Sequence, residues 1–480
     1  MKKTKIILSV ILILFILAIG AAVSYAVLLR GNFSQELVRT ETMYTLLILF
    51  ALLPIVLIVL LAFIIRNRVL LKARLKWQKT HPVQPIKEEE AKPDEGKVEE
   101  EKKEAKQEEG EEKETETETE GKERFCMLKE LDRTRETFIR EEYDEKITLK
   151  KFCDELRAFA AGELRLYYDI ADIRRFVAGL GVTHIAILQG MSGTGKTSLA
   201  YAMGQFLDNS STVISVQPMW KERTDLIGYY NEFTKQFNET MLLRKMYEAN
   251  YSKDMYITVL DEMNIARVEY YFAEFLSLLE IIDPNERYLD VVSDKWDTDP
   301  ENLVGGRIKF PENMWFVGTA NNDDSTFAIS DKVYDRAMIM NLDKKSQPFM
   351  VRRWRRVHLR AERFNELVKE AQTEYALTER NRRRIKELDE YLIEKFHITF
   401  GNRIMRQIMT YVPVYIACGG EETEALDDIL SKKVLRKLEM QNPVYVRGEA
   451  QSLIEYLDKL FGEGKMPLCK EFIQRLQRNV

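Results

Sequence analysis

The stretch Gly190-Met-Ser-Gly-Thr-Gly-Lys-Thr197 decides the fold, because it satisfies the spacing G-x-x-x-x-G-K-[ST] of a phosphate-binding loop. An apolar run, Ile185 to Leu188, precedes it, and a helix-compatible segment, Thr197 to Phe206, follows it. Strand, glycine-rich turn and helix are the context the motif needs. Gly190, Gly193 and Gly195 reach backbone conformations closed to other residues, so N–H groups along Ser192 and Thr194 can turn inward into an anion-binding nest. The helix start at Thr197 and Ser198 adds partial positive charge. Lys196 is placed to reach the β- and γ-phosphates of a nucleotide, and the Thr197 hydroxyl to ligate Mg²⁺. The plain alternative is an ordinary glycine-rich strand-to-helix connection. The rest of the chain weighs against it.

A second strand-like run, Ile257-Thr-Val-Leu260, ends in Asp261-Glu262, about 65 residues after the loop. A carboxylate at the C-terminal end of a parallel strand sits at the ligand-binding edge of the sheet. Asp261 is suited to hold Mg²⁺ through water, and Glu262 to polarise an attacking water as general base. An acidic pair opening a surface loop would look the same in isolation. The strand Trp315-Phe-Val-Gly-Thr-Ala320 then delivers Asn321-Asn322, and an amide at that edge can hold the attacking water beside the γ-phosphate. Ser330-Asp-Lys-Val-Tyr-Asp-Arg336-Ala337 carries a candidate charge-neutralising arginine, a group that can contribute about 10³–10⁵ in rate. A turn asparagine and a surface salt bridge are the respective alternatives.

Charge and hydrophobicity are segregated along the 480 residues. Apolar content of 45 % supports a sizeable core, and a net charge of −5 gives no overall pull toward nucleic acid. Cys126, Cys153, Cys418 and Cys469 lie far apart, without zinc spacing, which fits a reducing compartment. His81, His184, His358 and His397 show no ligand spacing.

Residues 1–80 read as a membrane anchor. Ile6–Leu29 and Tyr44–Ile65 are each long enough to span a bilayer. A cleaved signal peptide ending near Ser24-Tyr25-Ala26 is the alternative for the first. The basic flank Arg66, Arg68, Lys72, Arg74, Lys76 and Lys79 places everything after it in the cytoplasm. The expected location is therefore a two-helix, multi-pass position in the cell membrane with the nucleotide site cytoplasmic. Residues 81–124 form an acidic, low-complexity linker, with 18 acids against 8 bases from Glu88 to Arg124, expected to stay disordered.

Helical spacing returns in 125–180, through Leu149, Phe152 and Leu156 and then Leu164, Tyr167, Ile170, Ile173 and Phe176. Further strands are expected at Thr212–Val216, Met255–Leu260 and Asn313–Thr319, which alternate with helices and predict a parallel α/β core over 181–346. From Gln347 to the end the chain reads as helical, broken at Gly401 and Gly419-Gly420. Arg352, Arg353, Arg355, Arg356, Arg360 and Arg363 read as an ion-paired helix face, with nucleic-acid binding as the less favoured alternative.

In combination, GMSGTGKTS, TVLDEMN, FVGTANNDD, SDKVYDRA and FGNRIMRQI resemble the AAA+ ATPases, in the branch of dynein-related, MoxR and McrB-type domains. The resemblance runs from about Leu156 to Leu438, with the motifs in the family's order. It implies a P-loop NTPase core with a C-terminal helical lid over 347–480. It also implies ATP and Mg²⁺ as cofactors, Asp261 and Glu262 as the Walker B pair, and Asn321 as sensor 1. Arg336 resembles an arginine finger acting on a neighbouring subunit, and Arg403 the sensor 2 contact to nucleotide. Activity then requires a homo-oligomeric ring, most often a hexamer. Val268–Glu280 resembles the family's helix after Walker B, Trp220–Tyr229 its element between the Walker motifs, and Asp290–Pro311 its β-hairpin insertion.

Two departures stand out. The run of arginines near the finger in GTP-reading McrB-type proteins is missing, since Ala337 follows Arg336. A membrane anchor and acidic linker stand where a DNA-recognition domain would be. The favoured function is an ATP hydrolase that remodels a protein partner. A GTPase in a nucleic-acid defence system and a nucleotide-gated scaffold with little turnover are the alternatives.

Overall fold

The computed structural model describes residues 123–321, 326–343 and 346–478. The two expected membrane segments and nearly all of the acidic linker lie outside them. Among the described residues no helix is long and apolar enough to cross a membrane.

Three helices lead in: α1 (Met127–Thr134), α2 (Leu149–Gly162) and α3 (Ile170–Val182). The Thr148 hydroxyl caps α2 by accepting from Lys151 N–H, and the Asp169 carboxylate caps α3 by accepting from Ala171 N–H. The expected helical run through Leu164 and Tyr167 is not found. α2 stops at Gly162, which lies so close under the Trp354 indole that a Cβ there would meet the ring at 2.3 Å. Arg165 then turns left-handed, with φ 59°.

The central unit follows in chain order as β1 (Ile185–Gly190), α4 (Lys196–Phe206), β2 (Thr212–Ser215), α5 (Thr224–Ile227), β3 (Gly228–Asn231), β4 (Gln236–Glu239), α6 (Met241–Ala249) and β5 (Tyr256–Asp261). After it come α7 (Val268–Tyr271), α8 (Ala273–Leu278), β6 (Tyr288–Asp290), β7 (Leu303–Val304), β8 (Arg307–Lys309), β9 (Met314–Asn321), α9 (Asp331–Tyr334) and β10 (Met338–Asn341). Five strands form one parallel sheet in the order β10-β1-β9-β5-β2. β1 therefore sits between a strand from the far end of the unit and β9, where the strand order reverses and a ligand crevice opens.

Alternate side chains divide the core, as strand geometry requires. Ala186, Leu188, Ile257, Val259, Trp315 and Val317 face a cluster built with α2, α3, α4 and the C-terminal helices. Ile185, Ile187, Leu260, Met314 and Phe316 face a second cluster containing α1, α6 and α8. Both faces are covered, which is why these strands read as continuous apolar runs.

β10 was not foreseen as a strand. Its four residues gain their identity from register, with Ile187 opposite Ile339 and Gln189 opposite Asn341. The antiparallel hairpin β3–β4 was not foreseen either. The helix expected over Val268–Glu280 is split at Phe272. The insertion at Asp290–Pro311 is present as a three-stranded antiparallel sheet, with Gly305 and Gly306 at φ 61° and 74° in the tight turn between β7 and β8.

The C-terminal helices are α10 (Ala361–Glu374), α11 (Glu379–Phe396), α12 (Asn402–Ala417), α13 (Glu422–Ile429), α14 (Pro443–Phe461) and α15 (Pro467–Arg478). A π-helical turn, Leu430–Val434, and a 3₁₀ turn, Leu435–Met440, separate α13 from α14. Helix does not begin at Gln347: residues 351–359 are irregular and only Arg363 of the basic run is helical. The ion pairing expected there is present. Arg355 pairs with Asp144 and Glu155, Arg356 with Asp208, Arg360 with Glu145, and Arg363 with Glu366 and Glu370. Arg355 and Arg360 strap the start of the helical region to the lead-in segment, and Arg356 straps it to the end of α4.

Arg124, at the end of the acidic stretch, is also pinned. Arg124, 1 % exposed, makes a two-pronged pair with Asp299 (2.8 and 2.7 Å) and lies 4.4 Å over the Trp296 ring, on the insertion between β6 and β7. Asp299→Ala would leave a buried guanidinium short of its partner and is expected to destabilise the protein by about 3 kcal/mol, read as a shift in the denaturant midpoint.

Candidate functional site

The loop after β1 is built on three left-handed glycines. Gly190 has φ 143°, and a Cβ there would strike the Leu342 carbonyl at 2.4 Å. Gly193 and Gly195 have φ 77° and 94°, and the Tyr168 hydroxyl donates to the Gly195 carbonyl at 3.0 Å, bracing the turn from α3's side. Lys196 opens α4 and is buried; its Nζ donates to the carbonyls of Gly190 (2.9 Å) and Met191 (2.7 Å), so the loop curls around the ammonium. The Thr194 hydroxyl donates to the Met191 carbonyl at 3.0 Å, and Ser192 is exposed at the loop's crest. Thr197 and Ser198 lie in the first turn of α4, half-buried, beneath N–H groups that no intrahelical carbonyl can satisfy.

Sheet register brings the other parts to this edge. Gly190 is opposite Asn321, and Leu260 is opposite Gly318, so β1, β9 and β5 deliver their ends side by side. The Thr197 hydroxyl donates to Asp261 Oδ1 at 2.6 Å, and the Thr319 hydroxyl donates to the same oxygen at 2.8 Å. Thr319 also accepts from the Glu262 N–H at 2.8 Å. One threonine on the central strand thereby fixes both carboxylate-bearing residues. Glu262 is left-handed, with φ 53°, and its side chain is exposed at the rim. A non-glycine residue there costs of order 1–3 kcal/mol and persists only when its surroundings impose it. Gly318 supplies part of that constraint, since a Cβ on it would come within 2.0 Å of the Met263 sulfur.

Two contributors were missed in the sequence. Thr319 shares β9's face with Asn321, a period-two relation that could have flagged it. Asn264, buried just past the acidic pair, donates through Nδ2 to the carbonyls of Asn321 (2.9 Å) and Phe327 (3.3 Å). It accepts the Asn321 N–H at 3.3 Å, and its own carbonyl accepts from Phe327 N–H at 2.8 Å. Asn264 thus ties the Glu262 turn to Asn321.

Arg336 and Arg403 do not join this cluster. Both pair with Glu280: Arg336 at 2.5 Å on one oxygen, Arg403 on the other. Arg336 also donates to the Lys332 carbonyl at 2.7 Å. The two arginines expected to play separate roles therefore share one carboxylate beyond α8.

Beside β1 and β10 lies a cavity of about 1470 Å³. Gln189, Asn341 and Asp343 line it from the strand ends, Asp169 and Arg175 from the start of α3, and Asp428, Lys432 and Arg436 from the helical region. Asp428 pairs with Arg175 at 3.1 Å and Lys432 at 2.5 Å, closing the helices onto the core.

The oxygen pair Thr197–Asp261 fits Mg²⁺, which takes one or two protein oxygens and completes its shell with phosphate and water. Among the described residues no group of three or more His, Cys, Asp or Glu side chains forms an all-protein metal cage.

Residues 185–337 match the family model of the AAA domain, dynein-related subfamily, and residues 355–480 match a domain of unknown function, DUF8727. The first span runs from β1 through the arginine-bearing turn; the second covers the C-terminal helices. No curated protein matches the sequence. Similar solved structures include a "putative ATPase" from Cytophaga hutchinsonii, at 15 % identity and TM-score 0.44, covering 69 % of this chain and 98 % of that one. A full-length MCM homolog from Methanopyrus kandleri aligns at 13 % identity and TM-score 0.33, over 60 % of each chain. The family match, on a parallel sheet carrying this loop, supports an AAA+ ATPase.

Two substitutions at neighbouring positions are expected to have opposite signs. Asn264→Ala strands the buried polar groups of Asn321 and should lower the unfolding free energy by about 2 kcal/mol. Glu262→Gly relieves the left-handed backbone and should raise it by about 1 kcal/mol. Denaturant titration of both variants checks the pair.

Proposed function

We propose that this protein binds and hydrolyses ATP with Mg²⁺, as a cytoplasm-facing AAA+ ATPase anchored in the cell membrane, assembling a homo-oligomeric ring that remodels a protein partner. The observation that carries the hydrolysis reading is the shared acceptor Asp261, joined to Thr197 on the phosphate loop and through Thr319 to the Glu262 turn. The membrane and cytoplasmic parts of the reading rest on the two apolar segments and the basic flank after them. The ring rests on Arg336, which pairs with Glu280 and does not join the cluster at its own phosphate loop.

In this reading the N–H groups of residues 191–198 and the Lys196 ammonium hold the nucleotide phosphates. Thr197, and Asp261 through water, would hold Mg²⁺, which would neutralise charge on the phosphoryl oxygens. Glu262, projecting from its strained turn, accepts the proton of the attacking water. Asn321, fixed by Asn264, orients that water. Arg336 of an adjacent subunit meets the charge that develops on the transferred group. No covalent intermediate is needed. Positioning and electrostatics suffice.

Lys196→Ala is expected to abolish nucleotide binding, measured by fluorescent-nucleotide titration. Glu262→Gln should bind but lose turnover by roughly 100-fold or more. Arg336→Ala should bind and not turn over, and mixing it with Glu262→Gln should restore activity, because one interface type then pairs an intact Glu262 with an intact Arg336. Steady-state hydrolysis by Lys196→Ala, or no recovery on mixing, would overturn the shared-site reading. ATP and GTP tested in competition on the wild type identify the base preference.

A further inference from the structure

Arg336 sits at the end of a single short helical turn, α9, that has little core of its own. Such a turn leaves its last carbonyls without intrahelical donors. Here three carbonyls at and just past its end accept from the C-terminal helical region. Lys433 Nζ donates to the carbonyls of Tyr334 (2.6 Å) and Ala337, and Gln407 Nε2 donates to the Asp335 carbonyl at 3.0 Å. Arg436 closes the grip: its guanidinium lies 3.3 Å from the centre of the Tyr334 ring and pairs with Asp331 at 2.9 Å. On the opposite side, Gln189 at the end of β1 donates to the Tyr334 hydroxyl. The arginine-bearing turn is therefore clamped between the strand that feeds the phosphate loop and the helical lid.

Lys433 is the centre of that clamp. It is 4 % exposed and lies in the π-helical turn Leu430–Val434, next to Lys432. Lys432 points to Asp428 and the cavity beside β1, while Lys433 points to α9. Burial lowers the Lys433 pKa to about 7, opposed by the Asp335 carboxylate and assisted by Arg436 and Arg403. A lysine that costly to bury, aimed only at backbone carbonyls, has no role in packing that a methionine would not fill better.

We propose that Lys433 is a positioning residue for Arg336, holding the turn so that the arginine is presented to the nucleotide of the adjacent subunit. The inference rests on the ATPase reading above and adds a route between sites. The segment that lines one subunit's cavity also sets the arginine offered to the next.

The test uses full-length protein. Lys433→Met keeps the length of the side chain and removes the donors. It is expected to bind nucleotide within about threefold of wild type and to lose about tenfold in kcat with KM nearly unchanged. Mixed with Glu262→Gln, which supplies an intact arginine face, Lys433→Met should regain activity; mixed with Arg336→Ala, which has the same face damaged, it should not. A Lys433→Met protein rescued by neither, or fully active alone, overturns the proposal. Gln407→Leu removes the donor to Asp335 and follows the same pattern in the same mixtures, so the inference stands or falls on it if Lys433→Met does not fold. If Arg336→Ala with Glu262→Gln recovers activity while both clamp variants do not, the positioning role fails alone. If that control mixture also stays inactive, the shared-site reading has failed first.

Discussion

Asp261 Oδ1 accepts from two hydroxyls, Thr197 on the first helix after the phosphate loop and Thr319 on the neighbouring strand. That oxygen ties the first helix after the loop to the two central strands at the edge of the sheet. It can accept both because β9 lies between β1 and β5, which puts Thr319 within reach of a carboxylate on one side and of the loop's strand on the other. A sheet with β1 and β5 adjacent would bring the carboxylate closer to the loop and leave no strand between them to carry Asn321. The strand order is therefore a chemical arrangement as well as a topological one. It sets Asp261 and Asn321 on adjacent strands, which lie about 4.8 Å apart in the hydrogen-bonding direction.

The same economy appears at Glu262. Its backbone is strained, but the strain is fixed by three independent neighbours: the Thr319 hydroxyl, Met263 packed over Gly318, and Asn264 bonded across to Asn321. A rigid, unfavourable backbone thus keeps the exposed Glu262 side chain at the rim of the sheet edge.

How much of this was legible depended on whether the signal was local. Gly190–Thr197, Asp261-Glu262 and Asn321 announced themselves because each sits at the end of an apolar run, and the structure places all three at one edge. β10 was not legible: four residues, Met338–Asn341, carry no periodicity that distinguishes strand from helix. The β3–β4 hairpin was hidden because its turn lacks Asn-Gly or Asp-Gly, and Lys235 takes the left-handed position instead, at φ 54°. Arg355, Arg356 and Arg360 are ion-paired as expected, but their partners Asp144, Asp208 and Glu145 lie 148 to 215 positions away, beyond what a helical-face argument can see. Arg403 was recognisable by its motif; that it shares a carboxylate with Arg336 is a tertiary fact that no spacing encodes. The anchor segments lie outside the described residues and stand as the sequence left them.

That shared carboxylate has an electrostatic consequence. Two guanidiniums held by one Glu280 leave one positive charge uncompensated within a few ångströms, on a partly exposed surface. The pair is thus already gathered at one point of the surface, and neither arginine can move without disturbing the partner of the other.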